Sequence, residues 1–138
     1  RIKESGGIDL QILGIGGDGH WAFNEPGCSL ESRTHVQMLT KQTMDDNYES
    51  FYRKAGIGRS QMPHSALTMG VGTILESHEI LMIANGKNKA EVVAKALEGP
   101  VTSQITASAI QLYSGKATMI LDKDAASKLK KFNDYIKA

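Results

Sequence analysis

Apolar residues along this chain fall into short clusters divided by glycine, proline and charge, and the spacing inside each cluster predicts its backbone. Ile8, Leu10, Ile12, Leu13 and Ile15 form a dense run after Gly6-Gly7, the pattern of an interior strand covered on both faces. The run ends in Gly14-Ile15-Gly16-Gly17-Asp18-Gly19-His20, a glycine-rich turn. Pro26-Gly27 follows too soon for a long helix, so residues 20–34 read as loop. Val36 to Leu39 reads as a second short strand, and the polar stretch 41–64 admits a helix around Met44–Arg53 before the glycines and Pro63. Ala66 to Val71 fits either a strand or the entry to a short helix ending near Glu76.

The second half alternates more regularly. Glu79 to Ala84 (EILMIA) is a strand by its unbroken apolar run. Ala90, Val93, Ala94 and Leu97 carry helical spacing across Lys89–Glu98, with Asn88 and Glu91 as a capping-box start and Gly99-Pro100 as the stop. Gln104 to Leu112 reads as another helix and Ala117 to Leu121 as the last strand. Ala125, Leu129, Phe132 and Ile136 then predict one face of a closing helix, with Asp122 or Asp124 near its start. Strands alternating with helices predict an α/β fold, Rossmann-like, with an open and mostly parallel sheet flanked by helices. No repeat, linker or low-complexity segment interrupts it, so residues 1–138 read as a single domain. Arg1 is not an initiator methionine and a buried strand begins almost at once, which leads us to expect a C-terminal fragment of a longer domain.

Composition narrows the function classes. An apolar fraction of 41% supports a sizeable core, and 16 Lys plus Arg against 15 Asp plus Glu leave a net charge of +1, which gives no electrostatic case for nucleic acid. The single cysteine, Cys28, has no intramolecular partner, which fits a reducing compartment. No apolar run approaches the roughly 18 residues of a membrane span. A cytoplasmic location with no membrane partner is the expectation.

Gly14-x-Gly16-x-x-Gly19 after a strand satisfies the dinucleotide-binding expression, but that fingerprint needs a helix starting inside it to hold the pyrophosphate. Pro26 argues against such a helix, and so against a nicotinamide or flavin cofactor. The chemistry beside the glycines is more telling. Asp18, His20 and Glu25 sit at the C-terminal end of a strand, where open α/β sheets bind ligands. An imidazole there can move protons in both directions near neutrality, and flanking carboxylates would fix its tautomer. Zinc on Asp18, His20, Glu25 and His35 is the rival reading; with no cysteine pair and no HExxH spacing, no metal is expected. Lys89 stands in the first turn of its helix, where a cation opposes the macrodipole unless an anion is bound beside it.

The stretch Asp18-Gly19-His20-Trp21-Ala22-Phe23-Asn24-Glu25-Pro26-Gly27 resembles the motif of the glucosamine-6-phosphate deaminase/isomerase family. The likeness continues through Ser29-Leu30-x-Ser32-Arg33-Thr34, Ala66-Leu67-Thr68-Met69-Gly70-Val71-Gly72-Thr73 and Gly86-x-x-Lys89-Ala90, to about Leu121. It implies an enzyme of the hydrolase/isomerase type, with no cofactor, that turns a hexosamine phosphate into a ketose phosphate and ammonia. His20 would move the proton between ring oxygen and C1 hydroxyl, with Asp18 and Glu25 orienting it. Lys89 and an upstream arginine would hold the phosphate, the arginine being Arg53 or, if the alignment slips between Met44 and Pro63, Arg59. The family's first half, with a Ser-Gly-Gly phosphate loop and the aspartate that moves the C2 proton, is absent from these residues, so the fragment alone is expected to be inactive. His35 and Gln37 replace basic residues of allosteric members, which argues against the same effector control. Trp21 stands where an aliphatic residue is common, which suggests a changed pocket shape or epimer preference. A homo-oligomer is compatible with the resemblance. The alternatives are a 6-phosphogluconolactonase-like hydrolase, which lacks the Phe23-Asn24-Glu25-Pro26 continuation, and a non-catalytic sugar-phosphate sensor.

Overall fold

Three parallel strands carry the structure, a computed structural model that describes residues 1–136. They are β1 (Leu10–Leu13), β4 (Glu79–Ala84) and β5 (Lys116–Leu121), hydrogen-bonded in the order β1-β4-β5. Between β1 and β4 the chain makes an antiparallel pair from β2 (His35–Met38) and β3 (Ser65–Thr68), with His35 opposite Thr68. The helices are α1 (Lys41–Asn47), α2 (Val71–Leu75), α3 (Ala90–Glu98) and α4 (Phe132–Tyr135). Among the described residues no helix is long and apolar enough to cross a membrane.

The strand period of two decides which side of the sheet is covered. Leu13, Ile80, Met82 and Ala84 point to one face and are buried against α2, α3 and the 3-10 segment Thr106–Leu112, through Val71, Ile74, Val93, Ala96, Ala107 and Ile110. Leu10, Ile12, Ile83 and Ile120 point to the other face and are about half exposed. Among the described residues the first strand therefore lies at the sheet edge with one face open, where the sequence pattern predicts an interior strand covered on both sides. The described residues place all their sheet-packing helices on one side, so the second apolar row has no partner among them.

Other departures from the sequence expectation have local causes. The helix expected over Met44–Arg53 starts earlier, at Lys41, because the Thr40 hydroxyl accepts the Thr43 amide at 3.2 Å as an N-cap. It continues through a π-helical turn, Tyr48–Tyr52. The Asn88–Glu91 capping box does not form: a 3-10 turn, Lys87–Lys89, leads into α3, and the Glu91 carboxylate pairs with Lys95 and Lys128 instead. Where a helix is expected over Gln104–Leu112, Thr106–Leu112 forms a 3-10 segment rather than an α-helix. The continuous closing helix is also absent. Its amides at Lys130 and Lys131 donate to the Glu98 carboxylate at 2.9 and 2.8 Å, which breaks the helical ladder. These two bonds hold the Glu98 carboxyl below its usual range. Ala125 is buried, while Phe132 and Ile136 are exposed rather than aligned on one covered face. Asp122 accepts the Gly86 and Ala125 amides, tying the end of β5 to the loop before α3.

Candidate active site

No helix begins inside the glycine motif. After β1 the backbone runs through turns to Thr34, so the dinucleotide reading has no structural context. The turn is shaped around His20. The Gly16 amide donates to the His20 carbonyl at 3.0 Å, and Gly19 donates to the Gly16 carbonyl at 3.1 Å. Gly19 has φ +91°, and a Cβ there would lie 2.8 Å from Ile105 Cγ2 and 3.0 Å from Val92 Cγ2. Only glycine meets both conditions. Gly16 is required for a different reason: a Cβ on it would collide with the His20 ring at Cε1 and Nδ1.

Three of the predicted residues converge. His20 Nδ1 lies 2.6 Å from Asp18 Oδ1 and 3.9 Å from Glu25 Oε2. A carboxylate only accepts, so Nδ1 carries the proton of that bond and Nε2 is the nitrogen left to face the cavity side of the ring's chemistry. Asp18 Oδ1 also accepts the His20 amide at 3.1 Å, which fixes residue and ring together. Glu25 is only 3% exposed, and Thr40 donates to its carboxylate through both amide (3.1 Å) and hydroxyl (3.3 Å). The ligand-type atoms of Asp18, His20 and Glu25 lie within 4.8 Å of one another, a compass that would suit one cation. Within the set only Asp18 and His20 share a hydrogen bond, while Glu25 takes its donors from Thr40.

Behind this set the loop is pinned by buried polar groups. Asn24, fully buried, donates through Nδ2 to the Trp21 and Met69 carbonyls at 2.9 Å each. Thr106 Oγ1 accepts the Trp21 amide at 3.1 Å and donates to the Asn24 carbonyl at 2.9 Å. Trp21 is fully buried, with its indole N–H 3.4 Å from Met82 Sδ. It does not reach the cavity, so the expectation that it shapes the pocket is corrected: its ring serves the core.

A cavity of about 380 Å³ opens beside His20, lined also by Gly16, Thr43, Asp46, Phe51 and Lys89. Lys89 is brought to this place by its Nζ, which donates to the Ile15 carbonyl at 2.7 Å at the end of the first strand. Arg53 and Arg59 are not brought there. Arg53 pairs with Glu49 at 2.7 Å on the surface, and Arg59 pairs with Asp45 and lies 4.1 Å over the Tyr48 ring. The sequence reading missed the wall supplied by α1 and its π-helical extension. The spacing Thr40-x-x-Thr43, an N-cap signal, was the available clue that a helix starts there. A larger cleft of about 760 Å³ between the amino terminus and the Arg33–Glu76 pair contains none of the three converging residues.

A family profile described as Glucosamine-6-phosphate isomerases/6-phosphogluconolactonase matches residues 2–119. This chain belongs to that family. The glucosamine-6-phosphate deaminase of Cellvibrio japonicus is 47% identical over 134 residues, covering 97% of this chain and 49% of that protein. The Streptomyces coelicolor glucosamine-6-phosphate deaminase is 49% identical over 133 residues, covering 96% and 49%. The chain thus spans about half the length of the curated relatives it matches. A solved monomeric glucosamine-6-phosphate deaminase superposes with a TM-score of 0.83 at 45% identity, covering 92% of this chain and 50% of that one. A 6-phosphogluconolactonase from Trypanosoma cruzi shares the fold, with a TM-score of 0.64 at 24% identity, 88% of this chain and 41% of that one. Within this glucosamine-6-phosphate isomerase/6-phosphogluconolactonase family, the α/β architecture with a parallel sheet and flanking helices is the one the sequence predicts.

Proposed function

We propose that residues 1–138 form the ring-opening part of an amino-sugar phosphate deaminase/isomerase acting on glucosamine-6-phosphate or galactosamine-6-phosphate. The observation that carries this reading is the bond between His20 Nδ1 and Asp18 at 2.6 Å, with the ring beside a cavity that also holds Lys89. Nε2 of His20 takes the proton of the C1 hydroxyl and gives it to the ring oxygen as the bond from C1 to that oxygen breaks. Asp18 and Glu25 stabilise the imidazolium that exists between those two transfers. In the open chain a proton then leaves C2 and C1 is protonated, which places the double bond between C2 and nitrogen. Water adds to that iminium carbon, ammonia departs, and the ketose 6-phosphate remains. The last step is hydrolytic, the earlier ones isomerising. Lys89, at the C-terminal end of the first strand, is the cation for the phosphate.

A lactonase reading has the fold in its favour, but Phe23-Asn24-Glu25-Pro26 is what brings a buried carboxylate to His20. The test uses the protein as its cell makes it. Ammonia should appear from one of the two hexosamine 6-phosphates, with 6-phosphogluconolactone hydrolysed no faster than in buffer. Lactone hydrolysis without ammonia release would reverse the assignment. In the same assay Gly16→Ala should lower kcat by about 100-fold, the usual cost of displacing a reacting group by an ångström or so. Its melting temperature should stay close to that of the wild type, since the Gly16 backbone is not left-handed and only the His20 ring must move.

A further inference from the structure

We propose that Thr40 is a positioning residue for this reaction, holding the Glu25 carboxylate against His20 through its hydroxyl. The inference rests on the function proposed above and deepens it. Glu25 is 3% exposed, and a carboxylate that far from water must find donors within the protein. Among the described residues both hydrogen-bond donors to its side chain come from Thr40: the amide to Oε1 at 3.1 Å and the hydroxyl to Oε2 at 3.3 Å. Oε2 is the oxygen that faces His20 Nδ1 at 3.9 Å. The terminal torsion of a glutamate is broad by itself, so the two Thr40 donors orient the carboxylate together, and the hydroxyl is the one that holds Oε2.

The hydroxyl has a second duty, which the test must separate from the first. Thr40 Oγ1 accepts the Thr43 amide at 3.2 Å and so caps α1, and it lies 3.2 Å from Thr43 Oγ1. Each hydroxyl both donates and accepts, so Thr43 can supply a proton to Thr40 while Thr40 donates its own to Glu25. One side chain therefore joins the buried acid to the helix whose Thr43 and Asp46 wall the cavity. Thr40 itself is exposed, so replacing it leaves the core in place.

Three substitutions divide the two duties. Thr40→Ser keeps cap and donor. Thr40→Asp keeps a strong cap but has no proton to donate and sets a like charge against Glu25. Thr40→Val removes both. Steady-state ammonia release should find Ser within about twofold of wild type and both Asp and Val lower in kcat by about tenfold or more, the scale of a lost hydrogen bond to a charged group. KM should change less than kcat in both, because Glu25 acts on the imidazolium rather than on bound substrate. Aspartate performing as well as serine would show that only the cap matters and would overturn the proposal; so would wild-type kcat in the valine variant. If valine fails to fold, the serine–aspartate pair still decides. His20→Ala run alongside separates the levels. Wild-type ammonia release there sinks the proposed function, whereas its loss together with wild-type Asp and Val variants sinks only the assignment to Thr40.

Discussion

Replacing His20 by alanine should lower kcat for ammonia release by about 10²–10⁴-fold, the range for removing a positioned acid–base group. The expectation follows from the ring's surroundings. Nδ1 is committed to Asp18 at 2.6 Å, so only Nε2 is available for chemistry, and it has no substitute among the residues lining the cavity except Asp46 and Lys89. Lys89 already donates to the Ile15 carbonyl, and among the described residues neither group has a carboxylate beside it as His20 has Asp18. For a ring that acts in the transition state, as proposed for His20, KM should move far less than kcat. The defect should also be confined to ring opening. An acyclic amino-alditol phosphate, which has no ring to open, should inhibit the variant as tightly as the wild type. Wild-type turnover in His20→Ala, or an equal loss of affinity for the acyclic inhibitor, would remove His20 from the role given to it.

The second large effect is on stability. Trp21→Ala should cost about 3–5 kcal/mol, the range for truncating a large buried aromatic residue. Trp21 is 0% exposed and belongs to the cluster of Leu13, Ile80, Met82 and Val93, so its removal opens a void in the middle of the covered face of the sheet. The indole N–H to Met82 Sδ contact is lost as well. Trp21→Phe retains most of the volume and should cost much less. Urea denaturation of the whole protein followed by circular dichroism measures both, and a loss under about 1 kcal/mol for alanine would contradict the packing described. Trp21 stands between His20 and Ala22, and Ala22 adopts φ +50° in a turn closed by the Asn24 amide to the Trp21 carbonyl at 2.9 Å. The core anchor and the reactive loop are thus one piece of chain.

Much of this was legible in advance, because it is encoded locally. The apolar runs at Ile8–Ile15, Glu79–Ala84 and Ala117–Leu121 contain the three parallel strands, and the glycines and Pro26 exclude a helix after the first. Asp18, His20 and Glu25 lie within eight positions of one another, so a single loop brings them together once its glycines fix the turn. The errors occurred where a side chain's partner is distant or where two local preferences compete. Asn88 reads as a cap, yet Glu91 is taken by Lys95 and Lys128; Ala125 to Ile136 reads as a helix, yet Glu98 captures two of the amides. Arg53 reads as a phosphate ligand by resemblance, yet a glutamate four residues earlier on its own segment holds it.

The amino-acid sequence alone determined the strand–helix alternation, the position of the glycine loop and which titratable residues, Asp18, His20 and Glu25, that loop brings together, since each depends on spacing over a few neighbours. Tertiary structure decided that Trp21 serves the core and not the cavity, that Lys89 reaches the carbonyl of Ile15, that Thr40 rather than solvent satisfies Glu25, and that only one face of the sheet is covered by residues 1–136. Those outcomes depend on which distant surfaces exclude water together. Burial is a property of the assembled chain, and no short window of residues contains it.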